Sequence, residues 1–166
     1  MKAAKPSSAL ESVHIRRAEG TDVDALSALI NVAFRVERPY IEGDRVDPEG
    51  VRTYMNKGKF LLAEDSAGLA GCVYVEVRGN RGYLGLLGVD PRLQGTGLGR
   101  KLMNAAEDFF RTANCIAIDL RIVSARTPLP AFYRHLGYVE TGTAPLPPDS
   151  PAKVPCHFIL MSKMLA

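Results

Sequence analysis

One stretch of this chain, residues 87–103, constrains its fold more than any other. It opens as an apolar run that ends at Asp90-Pro91, because the residue before proline avoids the helical region and proline donates no ladder hydrogen bond. Glycines follow at positions 95, 97 and 99. Apolar residues then recur at the spacing of an amphipathic helix about 15 residues long. The sequence therefore predicts a strand, a glycine-rich turn and a helix in succession.

The turn between this strand and this helix is suited to bind a phosphate. The first N–H groups of a helix have no partner inside the helix, and the helix dipole adds positive charge at the same end. The glycines carry no Cβ, so a ligand could approach the backbone closely, and Arg92, Arg100 and Lys101 add charge nearby. We therefore expect a phosphate or pyrophosphate at this turn.

The glycine spacing narrows the choice of phosphate ligand. The chain has no G-x-x-x-x-G-K-[ST] match, and residues 95–99, G-T-G-L-G, do not fit the dinucleotide pattern G-x-G-x-x-G. Residues 94–99 instead read Q-x-x-G-x-G and follow Val89-Asp-Pro91. This combination strongly resembles the acetyl-CoA-binding motif of the GNAT N-acetyltransferase superfamily. The structural alternative is a plain strand-to-helix turn with glycines for tight packing.

A second stretch, residues 130–138, supports the same resemblance. It reads P-A-F-Y-R-H-L-G-Y and is similar to the family's short helix with a tyrosine, followed by glycine and an aromatic residue that opens a strand. The predicted order of elements also agrees with the family over residues 13–165. The resemblance implies an α/β (α+β) fold, a GNAT-like mixed, mostly antiparallel central sheet of about seven strands flanked by about four helices.

The resemblance also implies a set of functional residues. Acetyl-CoA would be the cosubstrate, with its pantetheine amides paired to backbone groups and its pyrophosphate held by the N–H groups of the turn. Tyr133 would protonate the departing thiolate, the alternative being a packed aromatic beside Phe132. The residues implied to bind the coenzyme are Leu87, Val89, Gln94, Gly95, Thr96, Gly97, Leu98, Gly99 and Arg100.

Two positions depart from the family pattern. Many relatives carry an asparagine seven residues before the tyrosine, where this chain has Arg126, a residue that could serve a phosphate or a substrate carboxylate. Many relatives also carry a glutamate base on the central strand, whereas residues 82–89 contain none. Glu76 and Asp119 on flanking strands, or a water molecule, are the candidates for the base. For the two carboxylates the alternative is a solvated strand position.

The acceptor is expected to lie between residues 35–48 and 142–155, the segments that border the acceptor cleft in the family. The second segment is predicted to be a proline-rich loop. The first segment mixes acids with arginines; an acid can hold an ammonium group, and an arginine can clamp a carboxylate. We predict Glu37 and Arg45 as contacts of a small acceptor that carries both charges. The alternative is a solvated loop with balanced charges.

The composition of the chain narrows the number of domains, the cellular compartment and the classes of partner that we expect. A chain of 166 residues suits one domain, expected at residues 13–166 after a disordered tail at 1–12. A formal net charge of +3 on scattered residues does not indicate nucleic acid, and we find neither a secretory signal nor a membrane-spanning run. Cys72, Cys115 and Cys156 lack metal-binding spacing, which predicts buried free thiols in a reducing cytoplasm and no metal. A homodimer stays possible.

The leading functional prediction is an enzyme, an acetyl-CoA-dependent N-acetyltransferase that acts on an amine of a small molecule by direct attack. The first alternative is a non-catalytic acyl-CoA-binding regulatory module, because the central strand lacks a carboxylate base. The second is a nucleotide-binding domain, which fits the glycine turn but not its spacing.

Overall fold

The computed structural model describes residues 12–148 and 152–165 of the chain. Within these ranges one seven-stranded sheet is flanked by four α-helices, as predicted. The expected tail at 1–12 lies outside them, except for Ser12. The strands are β1 (His14–Arg17), β2 (Lys59–Asp65), β3 (Gly68–Arg78), β4 (Arg81–Val89), β5 (Ala117–Val123), β6 (Val139–Pro145) and β7 (His157–Met164). The helices are α1 (Val23–Ala33), α2 (Pro48–Lys57), α3 (Leu98–Thr112) and α4 (Leu129–His135).

The strand order β1-β2-β3-β4-β5-β7-β6 places β4 and β5 at the centre of the sheet. Neighbouring strands are antiparallel except β4 and β5, which run parallel. This parallel pair is short, because it joins only residues 81–83 of β4 to residues 117–119 of β5. Beyond Tyr83 the two strands separate, so one edge of β4 faces an open wedge instead of a neighbouring strand.

Helices cover both faces of the sheet and form two cores. On the first face, α3 buries Leu102, Ala106 and Phe110, which recur every four residues along one side of the helix. On the second face, α1 buries Leu26 and Ile30 against β3 and β4. Each of these leucine, isoleucine and phenylalanine side chains stabilises the fold by roughly 1.5–3 kcal/mol. The wedge between β4 and β5 therefore lies between the two cores, one on each face of the sheet.

A β-bulge bends β4 along its free edge. The register with β3 passes from the pair Cys72–Gly88 to the pair Tyr74–Gly85, so β4 uses one residue more than β3. The extra residue leaves Leu86 with a φ of 48°, in the left-handed region. Gly85 and Gly88, the two glycines inside this part of the strand, flank the bulge.

Two details of the sequence-based prediction are wrong. The loop predicted at 142–155 is shorter, because β6 continues to Pro145 and pairs Gly142 with Leu160 of β7. Proline is tolerated there because it ends an edge strand. Cys156 is half-buried, not buried. No helix in the described part of the chain is long and apolar enough to cross a membrane.

Candidate active site

The glycine turn is held in shape by its own hydrogen bonds. After β4, the carboxylate of Asp90 accepts a hydrogen bond of 2.9 Å from the backbone N–H of Arg92. The hydroxyl of Thr96 donates to the carbonyl of Leu93 at 2.6 Å. Gly95 and Gly97 have φ values of 78° and 90°, a left-handed backbone that glycine adopts without a steric penalty. The turn therefore delivers the chain into α3 with its backbone exposed.

The amino end of α3 fits an anionic group. Its N-cap, Gly97, has no side chain to bond the first N–H groups, and no acidic residue lies in the first turn. Leu98 is buried in the core and fixes the helix against the sheet, while Arg100 is exposed beside the turn. Of the other expected charges, Arg92 pairs with Asp90 at 3.2 Å and the Lys101 ammonium donates to a backbone carbonyl. Open N–H groups and Arg100 suit the pyrophosphate of a coenzyme.

An inner cavity of about 120 Å³ lies in the wedge between β4 and β5. Residues 84–87 of β4 and 120–123 of β5 form two of its walls. Tyr133 of α4 lines it from the first face of the sheet, and Tyr54 and Tyr74 line it from the second. The wedge is therefore an opening through the sheet that can be reached from both faces.

An outer cavity of about 330 Å³ adjoins it on the second face. Its further walls are residues 41–45, between α1 and α2, and residues 146–147, which follow β6. Both predicted acceptor segments thus contribute to it. The residues that line both cavities are Phe34, Glu37, Arg45, Tyr54, Arg121, Val123 and Phe158.

Tyr133 lies at the inner end of this opening. It is 6% exposed and packs edge to face against Phe132 and Tyr138, with ring centroids 5.0 and 5.9 Å away. Burial raises the pKa of the Tyr133 hydroxyl, and the positive charge of Arg126 opposes that rise only in part. The hydroxyl therefore keeps its proton at neutral pH, and the side chain lines the inner cavity.

A buried polar network fixes the helix that carries Tyr133. The hydroxyl of Tyr138, just after α4, donates to the carboxylate of Glu107 on α3 at 3.3 Å. The ammonium of Lys163 on β7 donates to the same carboxylate and to the carbonyl of Leu136, each at 2.8 Å. The carboxylate of Glu107 therefore ties α3 and β7 to the segment that directly follows α4, the helix that carries Tyr133.

Glu37 and Arg126 form an ion pair at the inner cavity. Their side-chain atoms Oε2 and Nη1 are 3.3 Å apart, and the two side chains are only 8% and 22% exposed. Glu37 ends the short 3₁₀ turn Phe34–Glu37, and Arg126 precedes α4. The predicted acceptor contact thus lies in the cavity lining, where its charge is met by an arginine of the same chain.

Arg45 is positioned by α1. The side chain of Asn31 accepts hydrogen bonds from the backbone N–H groups of Arg45 and Val46 at 2.9 and 3.0 Å. The same amide donates to the carbonyl of Val46 at 2.7 Å. The guanidinium carbon of Arg45 lies 5.6 Å from the centre of the Phe34 ring. The predicted residue therefore lines both cavities on a segment that the helix holds in place.

Glu76, one of the two candidate bases, is already engaged. It accepts a hydrogen bond of 2.5 Å from the Tyr74 hydroxyl and another from Arg78. Burial alone would raise the pKa of Glu76, but these two hydrogen bonds outweigh it and hold the pKa below its usual value. The carboxylate is a weak base, does not line the inner cavity and is not solvated.

Asp119, the other candidate, is engaged more fully. Arg81 donates to its two oxygens at 2.8 and 2.6 Å, and the Ser162 hydroxyl donates at 2.5 Å. These bonds, chiefly those from Arg81, lower the pKa of Asp119. Like Glu76, it does not line the inner cavity. The pair joins β4 to β5 at the apex of the wedge, which is a structural role.

Arg121 lines both cavities, and sequence reasoning missed it. Its guanidinium carbon lies 4.5 Å from the centre of the Phe158 ring and 6.0 Å from that of Tyr83. The alternation of β5 does place Arg121 on the face opposite Leu120 and Ile122. That pattern indicates only solvent, because nothing local reveals that the neighbouring strand has turned away.

Among the described residues, no cysteine lines either cavity and no cluster of metal ligands is found. Burial raises the pKa of the Cys72 thiol to about 12 and also raises that of Cys115. Over residues 12–148 and 152–165, no three His, Cys, Asp or Glu side chains come together as a metal site. The ionisable side chains that line the described cavities are therefore arginine, tyrosine and glutamate, together with Asp44 in the outer cavity.

Comparison with known proteins identifies the family. Residues 24–138 match the model of the Acetyltransferase (GNAT) family. A mycothiol acetyltransferase of Propionibacterium freudenreichii is 31% identical over 152 residues, which cover 83% of this chain and 48% of that protein. The chain thus spans less than half the length of this relative.

Solved structures share the fold at low sequence identity. Ard1 from Thermoplasma volcanium has a TM-score of 0.77 at 16% identity and covers 93% of this chain and 99% of that one. The structure of yncA from Salmonella typhimurium, which contains its cofactor acetyl-CoA, has a TM-score of 0.71 at 21% identity and covers 93% and 95%. The chain belongs to the GNAT family of acetyltransferases, whose cosubstrate is acetyl-CoA.

Proposed function

We propose that this protein transfers the acetyl group of acetyl-CoA to an amine of a small molecule. The observation that carries the proposal is the inner cavity, which passes through the sheet and has Tyr133 on one side and the acceptor segments on the other. Relatives named mycothiol acetyltransferase favour a small-molecule acceptor over a protein. Membership of the GNAT family supplies the cosubstrate.

The coenzyme would bind along the free edge of β4 and the glycine turn. Backbone groups of Leu87 and Val89, on the edge that lacks a strand partner, would pair with the pantetheine amides. N–H groups of residues 94–100, Gln94, Gly95, Thr96, Gly97, Leu98, Gly99 and Arg100, would hold the pyrophosphate, and the Arg100 side chain would add charge. This arrangement directs the reactive end of the coenzyme into the wedge.

Tyr133 is the general acid in this proposal. Bound acetyl-CoA supplies an acetyl thioester, which a neutral amine can attack directly. The phenolic oxygen of Tyr133 carries a proton at neutral pH and donates it to the sulfur that leaves, and the proton that the attacking nitrogen gives up as the amide forms restores the phenol. The chain's larger contribution is to hold the two substrates in contact within a narrow opening, which converts a bimolecular step into a local one.

We assign removal of the acceptor's extra proton to water. Glu76 and Asp119 have lowered pKa values, are occupied by arginines and do not line the inner cavity. The outer cavity is bordered by the exposed residues 42–45, so water can reach an amine placed there. A neutral amine can then enter the wedge without a protein base.

Two predicted side chains would contact the acceptor from the second face. Arg45 lines the junction of the two cavities and is held by α1. Glu37 lies at the same junction, and its carboxylate could turn one oxygen to an ammonium group while the other stays with Arg126. Both contacts would set the KM for the acceptor and leave coenzyme binding unchanged.

A screen of amines tests this function. Thiol release from acetyl-CoA is followed with amino acids, polyamines, aminosugars and short peptides as acceptors, and rates without amine are subtracted. Amine-dependent release, with the acetylated product identified by mass spectrometry, is expected for at least one small molecule. Tight acetyl-CoA binding with no release for any amine would instead favour a non-catalytic acyl-CoA-binding module, which the occupied state of both candidate bases also suits.

A further inference from the structure

The inner cavity carries positive charge that the proposed reaction does not use. Its described lining includes three arginines, Arg45, Arg121 and Arg126, and one acid, Glu37. Because Arg126 pairs with Glu37 at 3.3 Å, the charges of the other two arginines are not compensated within the lining. The thioester of acetyl-CoA is neutral, so binding it does not require two further cations in the inner cavity.

The guanidinium of Arg121 is ordered by aromatic rings and has no acid opposite it. Phe158 and Tyr83 lie 4.5 and 6.0 Å from its central carbon. Within the described residues Arg121 forms no ion pair, and Asp119, two positions earlier on the strand, is taken by Arg81. An arginine that stacks on a ring keeps its N–H edge available for a planar anion.

The acidic side chains Asp44 and Glu42 of the outer cavity do not neutralise this positive charge. Asp44 pairs with Arg38 at 3.3 Å. Glu42 lines the outer cavity but not the inner one, whereas Arg45 and Arg121 line both. The positive charge is therefore concentrated at the junction, where an acceptor would have to pass to reach the wedge.

The phosphates of the coenzyme do not explain Arg121. The turn that suits the pyrophosphate follows Val89, at the carboxyl end of β4. Tyr83, the β4 residue beside Arg121, lies six residues earlier on the strand. At about 3.3 Å per residue this separation is about 20 Å. Arg121 also lies on the second face of the sheet, opposite the face that holds α3.

We propose that Arg121, assisted by Arg45, binds a carboxylate of the acceptor. The acceptor is then a small amine that also carries an acid group, with an apolar part against Phe34 and Phe158 at the junction of the cavities. This inference rests on the proposed function, because it names the acceptor class of the same site. Arg121 would then determine which acceptors bind, a role that the acetyl transfer itself does not require.

Equilibrium binding provides a test that does not depend on turnover. N-acetyl-L-phenylalanine and N-acetyl-L-methionine represent products of the reaction, and their carboxamides differ only in lacking the acid. Isothermal titration calorimetry with saturating CoA is expected to show about tenfold or tighter binding of the acids, since a charge-assisted hydrogen bond contributes about 1.5–3 kcal/mol. Arg121→Ala should reduce the preference for the acid by about tenfold or more.

Three controls separate charge from structure. Arg121→Lys keeps a cation and should keep part of the preference. Arg52→Ala removes an exposed arginine on α2, away from both cavity linings, and should keep all of it. Acetyl-CoA should bind Arg121→Ala with the same Kd as the unaltered protein. A lower coenzyme affinity in that variant would overturn the proposal, because Arg121 would then serve the coenzyme.

Other outcomes also overturn it. The proposal fails if the unaltered protein binds the carboxamides as well as the acids, if it binds none of the four probes, or if Arg121→Ala weakens acids and carboxamides equally. These results are distinct from a failure of the proposed function, in which thiol release is absent for every amine although the acids still bind more tightly than the carboxamides.

Discussion

At the scale of single residues, the proposed mechanism depends most on the hydroxyl of Tyr133. Replacing Tyr133 with phenylalanine keeps the packing against Phe132 and removes only the hydroxyl that donates the proton. Because a general acid contributes about 10²–10⁴-fold, kcat should fall about tenfold or more when chemistry limits the rate. The Kd for acetyl-CoA should stay unchanged, since the proton is needed only as the thiolate leaves.

A matched variant shows whether loss of a phenol alone has this effect. Tyr138→Phe removes a neighbouring hydroxyl that is bonded to Glu107 outside the cavity lining. We expect it to lower the free energy of unfolding and to reduce kcat far less than Tyr133→Phe. Equal kcat values for Tyr133→Phe and the unaltered protein would leave Tyr133 as a packed aromatic.

The pH dependence of kcat follows from the same residue. Burial raises the pKa of Tyr133, so its proton is retained well above neutral pH. The acceptor ammonium loses its proton as pH rises, so the rate should increase and then level off. No falling limb should appear below about pH 10, the usual pKa of tyrosine. A fall of kcat near pH 8, measured in buffers of constant ionic strength, would contradict this assignment.

The contacts of single residues were also the part of the structure that the sequence predicted least completely. Tyr133 and the glycine turn lie inside short, continuous patterns, so their places in the fold could be predicted. The ion pair between Glu37 and Arg126 joins residues 89 positions apart and could not. Arg121 was missed for a related reason, since its exposure to a cavity depends on the separation of β4 from β5.

At the scale of elements, the turn between β4 and α3 was the most predictable part of the molecule. A strand, a proline, three glycines and an amphipathic helix are all local signals, and α3 has the predicted length of 15 residues. The end of β6 at Pro145 was not predictable, because its extension depends on hydrogen bonds from β7, which lies later in the chain. Local chemistry fixes helices and turns, while strand ends depend on partners.

Gly97→Glu tests the coenzyme turn. It places a bulky anion where the pyrophosphate is proposed to bind, and should abolish the stabilisation by acetyl-CoA, about 2.7 kcal/mol at 100-fold Kd in the unaltered protein. Gly97→Ala is the control, because it adds the backbone strain of a φ of 90° without the charge. Thermal unfolding with and without acetyl-CoA provides the measurement. A normal response in Gly97→Glu would place the site elsewhere.

Asp119→Asn tests the apex of the wedge. The pKa of Asp119 is lowered in the fold, so its stabilisation is present above the unfolded value of about 3.9 and is lost as pH falls through the lower folded value. The variant should therefore be less stable than the unaltered protein at neutral pH, and the difference should shrink toward about pH 3. Urea unfolding across this range measures it. A difference independent of pH would mean that the negative charge of Asp119 adds no stability.

At the scale of the whole molecule, the proposed function requires the sheet to bring two substrates together from opposite faces. The short parallel pairing of β4 with β5 opens the wedge, α3 and α4 would define the coenzyme side, and the segments around α1 and β6 would define the acceptor side. No cysteine lines either described cavity. Both substrates are therefore expected to be bound together, with the acetyl group passing directly between them.

The most direct test of this transfer between two bound substrates is a measurement of initial rates of thiol release. The concentrations of acetyl-CoA and of the best acceptor from the amine screen are both varied. Direct transfer within a ternary complex predicts amine-dependent release and double-reciprocal lines that intersect. Parallel lines, which indicate that an acetylated protein forms before the acceptor binds, would contradict the account, as would thiol release that no amine accelerates.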